Sequence, residues 1–137
     1  MKIIDILRQD KVTLSFEVFP PKTSDTYEAV AKATQDIAAL RPDFMSVTYG
    51  AGGGTSAYTI GIAAGISQKY GVDTLAHLSC VSSTRAHVHA MLDDMRAQGI
   101  QNVLALRGDI PEGGVSAHDY HYASELVREI KAYGDFC

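Results

Sequence analysis

The sequence predicts an α/β fold built on a parallel sheet. Three observations predict it. Short apolar segments alternate with longer amphipathic ones along all 137 residues. The longer amphipathic segments close at glycine or at Arg41-Pro42, and three of the four apolar ones run into proline or glycine-rich loops. Successive apolar segments recur at roughly 30 residues, the length of one βα unit with its right-handed crossover.

Each element has its own signal. Residues 2 to 10 read as a short amphipathic helix with Ile3, Ile4, Ile6 and Leu7 as apolar positions. The first strand covers 12 to 18 and stops at Pro20 and Pro21, which cannot donate ladder hydrogen bonds. A helix over 25 to 40 is capped by Ser24 or Asp25 and carries Val30, Ala33, Ile37 and Leu40 at helical spacing. The second strand is 44 to 49. A glycine-rich loop leads to a helix over 56 to 69, closed by Gly71. The third strand is 73 to 79. Ser82, Ser83 or Thr84 caps a helix that runs to Gln98. The fourth strand is 101 to 106, and a last helix covers 117 to 133.

The resulting βαβαβαβα order is half of an eight-stranded (β/α)8, or TIM, barrel, a fold of about 250 residues. The sequence therefore predicts either a small open sheet, a half-barrel of about four βα units, or the N-terminal part of one truncated barrel domain. An open half exposes strand edges, so a missing C-terminal half or a second copy of the chain is the expected partner.

Composition narrows the function. The chain is 46% hydrophobic and 20% charged, with a net charge of −4. That balance argues against nucleic-acid and anionic-membrane binding. No apolar run reaches the roughly 18 to 20 residues that span a bilayer. The N-terminus has no signal-peptide pattern, and Cys80 and Cys137 are isolated, which fits a cytoplasmic protein with free thiols.

Strand parity sorts the side chains. In the first strand Phe16 and Val18 share one face, while Ser15, Glu17 and Phe19 share the other. Glu17 is a carboxylate in an otherwise apolar strand, so it is an ion-pair anchor or a catalytic group. Parity sets Ser46 and Thr48 apart from Met45 and Val47, and His77 apart from Ala76 and Leu78. In the fourth strand it sets Leu104 and Leu106 on the apolar face, with Val103, Ala105, Arg107 and Asp109 opposite. Glu17, Thr48, His77, Arg107 and Asp109 then gather at the C-terminal ends of the strands, where parallel α/β proteins bind ligands. The alternative is a buried polar network that fixes register. The loop over residues 50 to 56 lacks the lysine of a P-loop and does not complete GxGxxG. His87 and His89 face apart on one helix, and no metal-binding pattern surrounds His118 and His121, so no metal is expected.

Five segments carry a resemblance: Ser15-Phe16-Glu17-Val18-Phe19-Pro20-Pro21, Phe44-Met45-Ser46-Val47-Thr48-Tyr49-Gly50, Ala76-His77-Leu78-Ser79-Cys80, Gly99-Ile100 and Leu104-Ala105-Leu106-Arg107-Gly108-Asp109. In this order and spacing the chain resembles the methylenetetrahydrofolate reductase family across almost its whole length. The resemblance implies a (β/α)8 flavoprotein of one-carbon metabolism and methionine biosynthesis. Such an oxidoreductase reduces 5,10-methylenetetrahydrofolate to 5-methyltetrahydrofolate with NAD(P)H through FAD, in ping-pong order. It implies catalytic roles for Glu17, as the general acid that opens the methylene bridge, and for Asp109, beside the flavin pyrimidine edge and the pterin. Apolar surroundings such as Phe16, Phe19 and the flavin would favour the protonated acid. It further implies FAD contacts from Thr48, Tyr49, His77, Arg107, Gly108 and Asp109. The family's later strands supply further FAD and folate contacts, so this chain is expected to be incomplete for turnover. The competing expectations are a non-catalytic flavin- or pterin-binding half-barrel, a purely structural fragment, and another pterin- or phosphate-using barrel.

Overall fold

A computed structural model describes residues 1–21, 26–50, 56–110 and 112–137. The elements run α1 (Ile3–Leu7), β1 (Ser15–Val18), α2 (Tyr27–Ala38), β2 (Phe44–Val47), α3 (Ser56–Tyr70), β3 (Asp73–Ser79), α4 (Arg85–Ala97), β4 (Asn102–Leu106) and α5 (Ala123–Tyr133). The four strands form one sheet in the order β1-β2-β3-β4, and every pair is parallel. Sequential order with a helix between neighbours is the βα-barrel connectivity, here as an open arc.

The register fixes which side chains share a face. Val18 pairs with Val47, Val47 with Ala76, and Ala76 with Val103. These residues meet the helices. The core there includes the fully buried Met45, Leu78, Ile66, Leu92, Met95 and Leu126. α3 packs on β2 and β3, and α5 packs on β4. α3 reaches Tyr70 and ends as Gly71 takes a left-handed φ of 67°, its N–H donating to Ser67 O at 3.0 Å. Thr84 caps α4, its hydroxyl accepting from His87 N–H at 3.1 Å.

Four expectations from the sequence are corrected. On α2 Val30 and Ile37 pack against the core as expected, but the buried positions are Thr34 and Ala38, while Ala33, and Leu40 beyond the helix, are exposed. The Thr34 hydroxyl donates to Val30 O at 2.7 Å, which lets a polar residue turn inward. On α1 Ile3 and Ile6 are buried, while Ile4 and Leu7 are exposed. The last helix starts at Ala123, not near 117, because Glu125 Oε2 accepts from both His121 N–H at 2.6 Å and Tyr122 N–H at 3.0 Å. That capping box fixes the first turn.

The fourth correction concerns β4. Val103 and Ala105 pair with Ala76 and Leu78 and pack on the core, while Leu104 and Leu106 pair with His77 and Ser79. Leu104 and Leu106 therefore lie on the other, open face and remain 38% and 37% exposed. A strand that is apolar on both faces gives no alternation from which to tell inside from outside. The predicted caps Ser24 and Asp25, and the glycine-rich loop over 51–55, lie outside the described residues.

The N-terminal end of the sheet is tied to α1. Asn102 Oδ1 accepts from Ile3 N–H at 2.8 Å, and its Nδ2 donates to Met1 O and Thr74 O, each at 3.1 Å. At the outer edge of β4, Cys137 N–H donates to Gln101 O at 2.8 Å and Val103 N–H donates to Cys137 O at 2.9 Å. These bonds have the pattern of a parallel ladder.

Candidate functional site

The open face carries the polar side chains. Ser15 and Glu17 point there from β1, Ser46 from β2, His77 and Ser79 from β3. Glu17 pairs in register with Ser46, and the Ser46 hydroxyl donates to Glu17 Oε2 at 3.3 Å. His77 Nε2 lies 3.5 Å from the same oxygen, reaching across β2 from the next strand. So three strands contribute one side chain each to a single cluster. Its walls differ sharply in exposure, with the Glu17 side chain 46% exposed and that of His77 8%. Burial pushes the His77 imidazole below its ordinary pKa, and the Glu17 carboxylate offsets part of that fall.

The two phenylalanines expected around Glu17 are placed differently. Phe16 belongs to the opposite face, and Phe19 is exposed. Pro20 and Pro21 follow at once, so the chain leaves the sheet just above the carboxylate.

The other predicted residues follow the C-terminal ends of the strands. Thr48 follows β2, its N–H still donating to Val18 O at 3.1 Å and its carbonyl accepting from the Thr59 hydroxyl at 2.8 Å. The Tyr49 hydroxyl sits 3.2 Å from His87 Nε2 on α4. Beyond β4, Arg107 is exposed, with Nε donating to Gly108 O at 3.2 Å. Asp109 is exposed and makes no hydrogen bond or ion pair among the described residues.

Gly108 is the hinge of that departure. Its φ is +83°, and a Cβ built on it would lie 2.9 Å from Ser79 Cβ and 3.0 Å from Val81 Cγ1. The β3 and β4 ends approach here more closely than a side chain allows, as Val81 N–H donates to Arg107 O at 2.7 Å. Strand parity does not carry Arg107 and Asp109 to the face of Glu17.

Sequence reasoning passed over two participants. Ser46 was placed on the correct face but not singled out; its register with Glu17 is the signal that finds it. His87, considered in the sequence only as a metal ligand, meets Tyr49 at the border of a cleft of about 580 Å³. Ser79, Ser82, Thr84 and Ser116 also line that cleft. Of the predicted site residues only Tyr49 lines it, because the Glu17–His77 cluster lies on an open face and not in a hollow. Among the described residues no group of three or more His, Cys, Asp or Glu side chains could hold a metal ion. No described helix is long and apolar enough to cross a membrane.

A parallel βα sheet with its polar groups at the C-terminal ends of the strands defines the βα-barrel class of ligand-binding domains. Within that class the match is specific. The family model for methylenetetrahydrofolate reductase covers residues 2–137. A 5,10-methylenetetrahydrofolate reductase of Pectobacterium carotovorum is 37% identical over 128 residues, covering 93% of this chain and 42% of the relative. The Escherichia coli protein of the same name is 37% identical over 128 residues, covering 93% and 43%. Methylenetetrahydrofolate reductase (NADH) 1 of Arabidopsis thaliana is 36% identical over 150 residues, covering 99% and 24%. The chain belongs to the methylenetetrahydrofolate reductase family. It spans less than half the length of these curated relatives.

Proposed function

We propose that this chain is the N-terminal part of a (β/α)8 barrel that reduces 5,10-methylenetetrahydrofolate to 5-methyltetrahydrofolate in the cytoplasm, with NAD(P)H as reductant and FAD as the bound cofactor. The observation that carries the reading is the Glu17 carboxylate on the open face, held by Ser46 and faced by His77, in a chain whose family match runs through residues 2–137. The printed name of the Arabidopsis relative specifies NADH, which supports a nicotinamide reductant.

The residues present fit a flavin. His77 Nε2 is a buried polar atom without a hydrogen-bond partner on the face that carries Glu17. Thr48, Tyr49, His77, Arg107, Gly108 and Asp109 are the residues that would hold the cofactor. When bound, FAD supplies the hydride relay between nicotinamide and folate, in ping-pong order. Glu17 delivers a proton to the folate nitrogen as the methylene bridge opens, a task for a positioned carboxyl group. Asp109 offers an acceptor to the pterin amino group and a negative charge beside the flavin pyrimidine edge. Arg107 is the fixed cation of the rim.

The exposure of Glu17 and Asp109 favours a second reading for residues 1–137 taken alone, in which the chain binds flavin or pterin without turnover. The rest of the barrel, or a second copy of this chain, would then complete the site.

The test is a visible absorption spectrum after incubation with FAD and desalting, with Asp109→Ala alongside. Retained flavin with a shifted band, altered again in the variant, is the expected result. Complete loss of flavin from the wild-type chain overturns the proposal that these residues form the isoalloxazine site by themselves. NAD(P)H oxidation with an electron acceptor then separates turnover from binding.

A further inference from the structure

The Glu17–His77 approach contains more than a cofactor contact. His77 Nε2 is buried and lacks a hydrogen-bond partner, yet Glu17 Oε2 stands 3.5 Å away. A buried nitrogen left without a partner is destabilising, and such orphans are rare in folded proteins. A side-chain shift of about 0.5 Å would bring the pair to ordinary N–H···O distance. Glu17 is free to make that shift, because its side chain is half-exposed while that of His77 is fixed in the sheet. Ser46 already holds the same oxygen from β2, between them.

We propose that His77 is a positioning residue for Glu17, donating Nε2–H to Oε2 so that, with Ser46, it sets the direction of the carboxyl group across the open face. The catalytic meaning of this contact rests on the reductase reading; the contact itself does not. The chemistry selects the tautomer. Burial disfavours the imidazolium, so the ring is neutral, and a neutral ring facing a carboxylate must present N–H and not a lone pair. Leu104 pairs with His77 from β4, and Ser46 and Thr48 flank it on β2, so these neighbours bring no charge. Among the described residues Glu17 is the one ionisable group that acts on the His77 titration. Held at one oxygen by two donors, the carboxyl group has its second oxygen directed away from the sheet, towards the space where a substrate nitrogen would lie.

The experiment is NMR on the purified chain without FAD or folate. Long-range proton–nitrogen spectra of histidine-labelled protein should show His77 as the Nε2–H tautomer. Its titration midpoint should fall by about one pH unit in Glu17→Gln, which removes the favourable charge and keeps the shape. Side-chain couplings should report one Glu17 rotamer in the wild type and in His77→Gln, whose amide N–H replaces the imidazole donor. In His77→Leu the couplings should average over several rotamers, with amide spectra confirming that each variant is folded. An Nδ1–H tautomer, an unchanged midpoint in Glu17→Gln, or a single Glu17 rotamer in a folded His77→Leu chain overturns the proposal. Flavin retention is measured separately. Loss of flavin with the coupling intact overturns only the reading that residues 1–137 form the isoalloxazine site by themselves, and retained flavin without the coupling overturns the positioning role alone.

Discussion

Gly108 concentrates the cost of shaping the site in one residue. Its φ of +83° disfavours any side chain, and Ser79 and Val81 occupy the space that a Cβ needs. Gly108→Ala is therefore expected to lower stability by roughly 2 kcal/mol, combining left-handed strain with the displaced contacts. Urea denaturation of the two proteins checks this. Because Gly108 links Arg107 to Asp109, flavin retention should fall as well. Equal retention in a folded variant would show that the turn does not shape the rim. The residue scale was also where the sequence was most readable. Glu17 declares itself by chemistry, as a carboxylate in an apolar strand ended by two prolines. Ser46 does not, because a serine in a strand is unremarkable until the register sets it beside Glu17.

At the scale of elements, strand and helix order was legible and the buried faces less so. The periodicity that picks Val30 and Ile37 on α2 finds two residues packed against the core, but it picks Ala33 where Thr34 satisfies its hydroxyl on Val30 O and turns inward. β4 reads alike on both faces, so nothing in Val103-Leu104-Ala105-Leu106 says which side α5 will cover. The joints between elements were invisible, since they depend on partners far apart in sequence. Asn102 is one of them. It bonds Ile3 N–H, Met1 O and Thr74 O, joining α1 to β3 and β4. Asn102→Ala leaves a buried N–H and a buried carbonyl without partners and should cost about 3 kcal/mol in urea denaturation. The outer joint between α4 and α5 is ionic. His89 Nε2 lies 2.6 Å from Glu129 Oε1, and Arg85 pairs with Glu129 Oε2. The hydrogen bond from His89, and then the charge of Arg85, hold the Glu129 carboxyl below its ordinary pKa of 4.5, against the opposing effect of burial. A depressed carboxylate stabilises the fold above its unfolded pKa and loses that contribution as pH falls through the folded one. Wild type should exceed Glu129→Gln by about 1–2 kcal/mol at pH 7. The difference should shrink below about pH 4.5 as the unfolded and then the folded carboxyl protonates. A constant difference across that range would remove Glu129 from the pH dependence.

For the whole molecule the open face decides behaviour. The helix-packed face is buried, but the opposite one exposes Leu104, Leu106 and Phe19 around the polar cluster. β1 has no strand partner on its outer side among the described residues, and the outer edge of β4 is engaged at its base by Cys137. A sheet with exposed apolar residues and free edge groups recruits another chain unless charge or cover prevents it. A second copy offers the same face, and two such faces exclude water from four leucines when they meet. The isolated chain should therefore self-associate, its sedimentation coefficient rising with concentration in analytical ultracentrifugation. Leu104→Lys tests the face directly. The position is already part-exposed, so folding stability should change by less than about 1 kcal/mol, while the added charge opposes burial against another chain. The variant should sediment as a monomer at concentrations where the wild type associates. If both remain monomeric throughout, pairing of two copies is excluded as the means of covering this face. If both associate equally, the contact lies elsewhere, and the exposed side chains of α1, Ile4 and Leu7, become the surface to change.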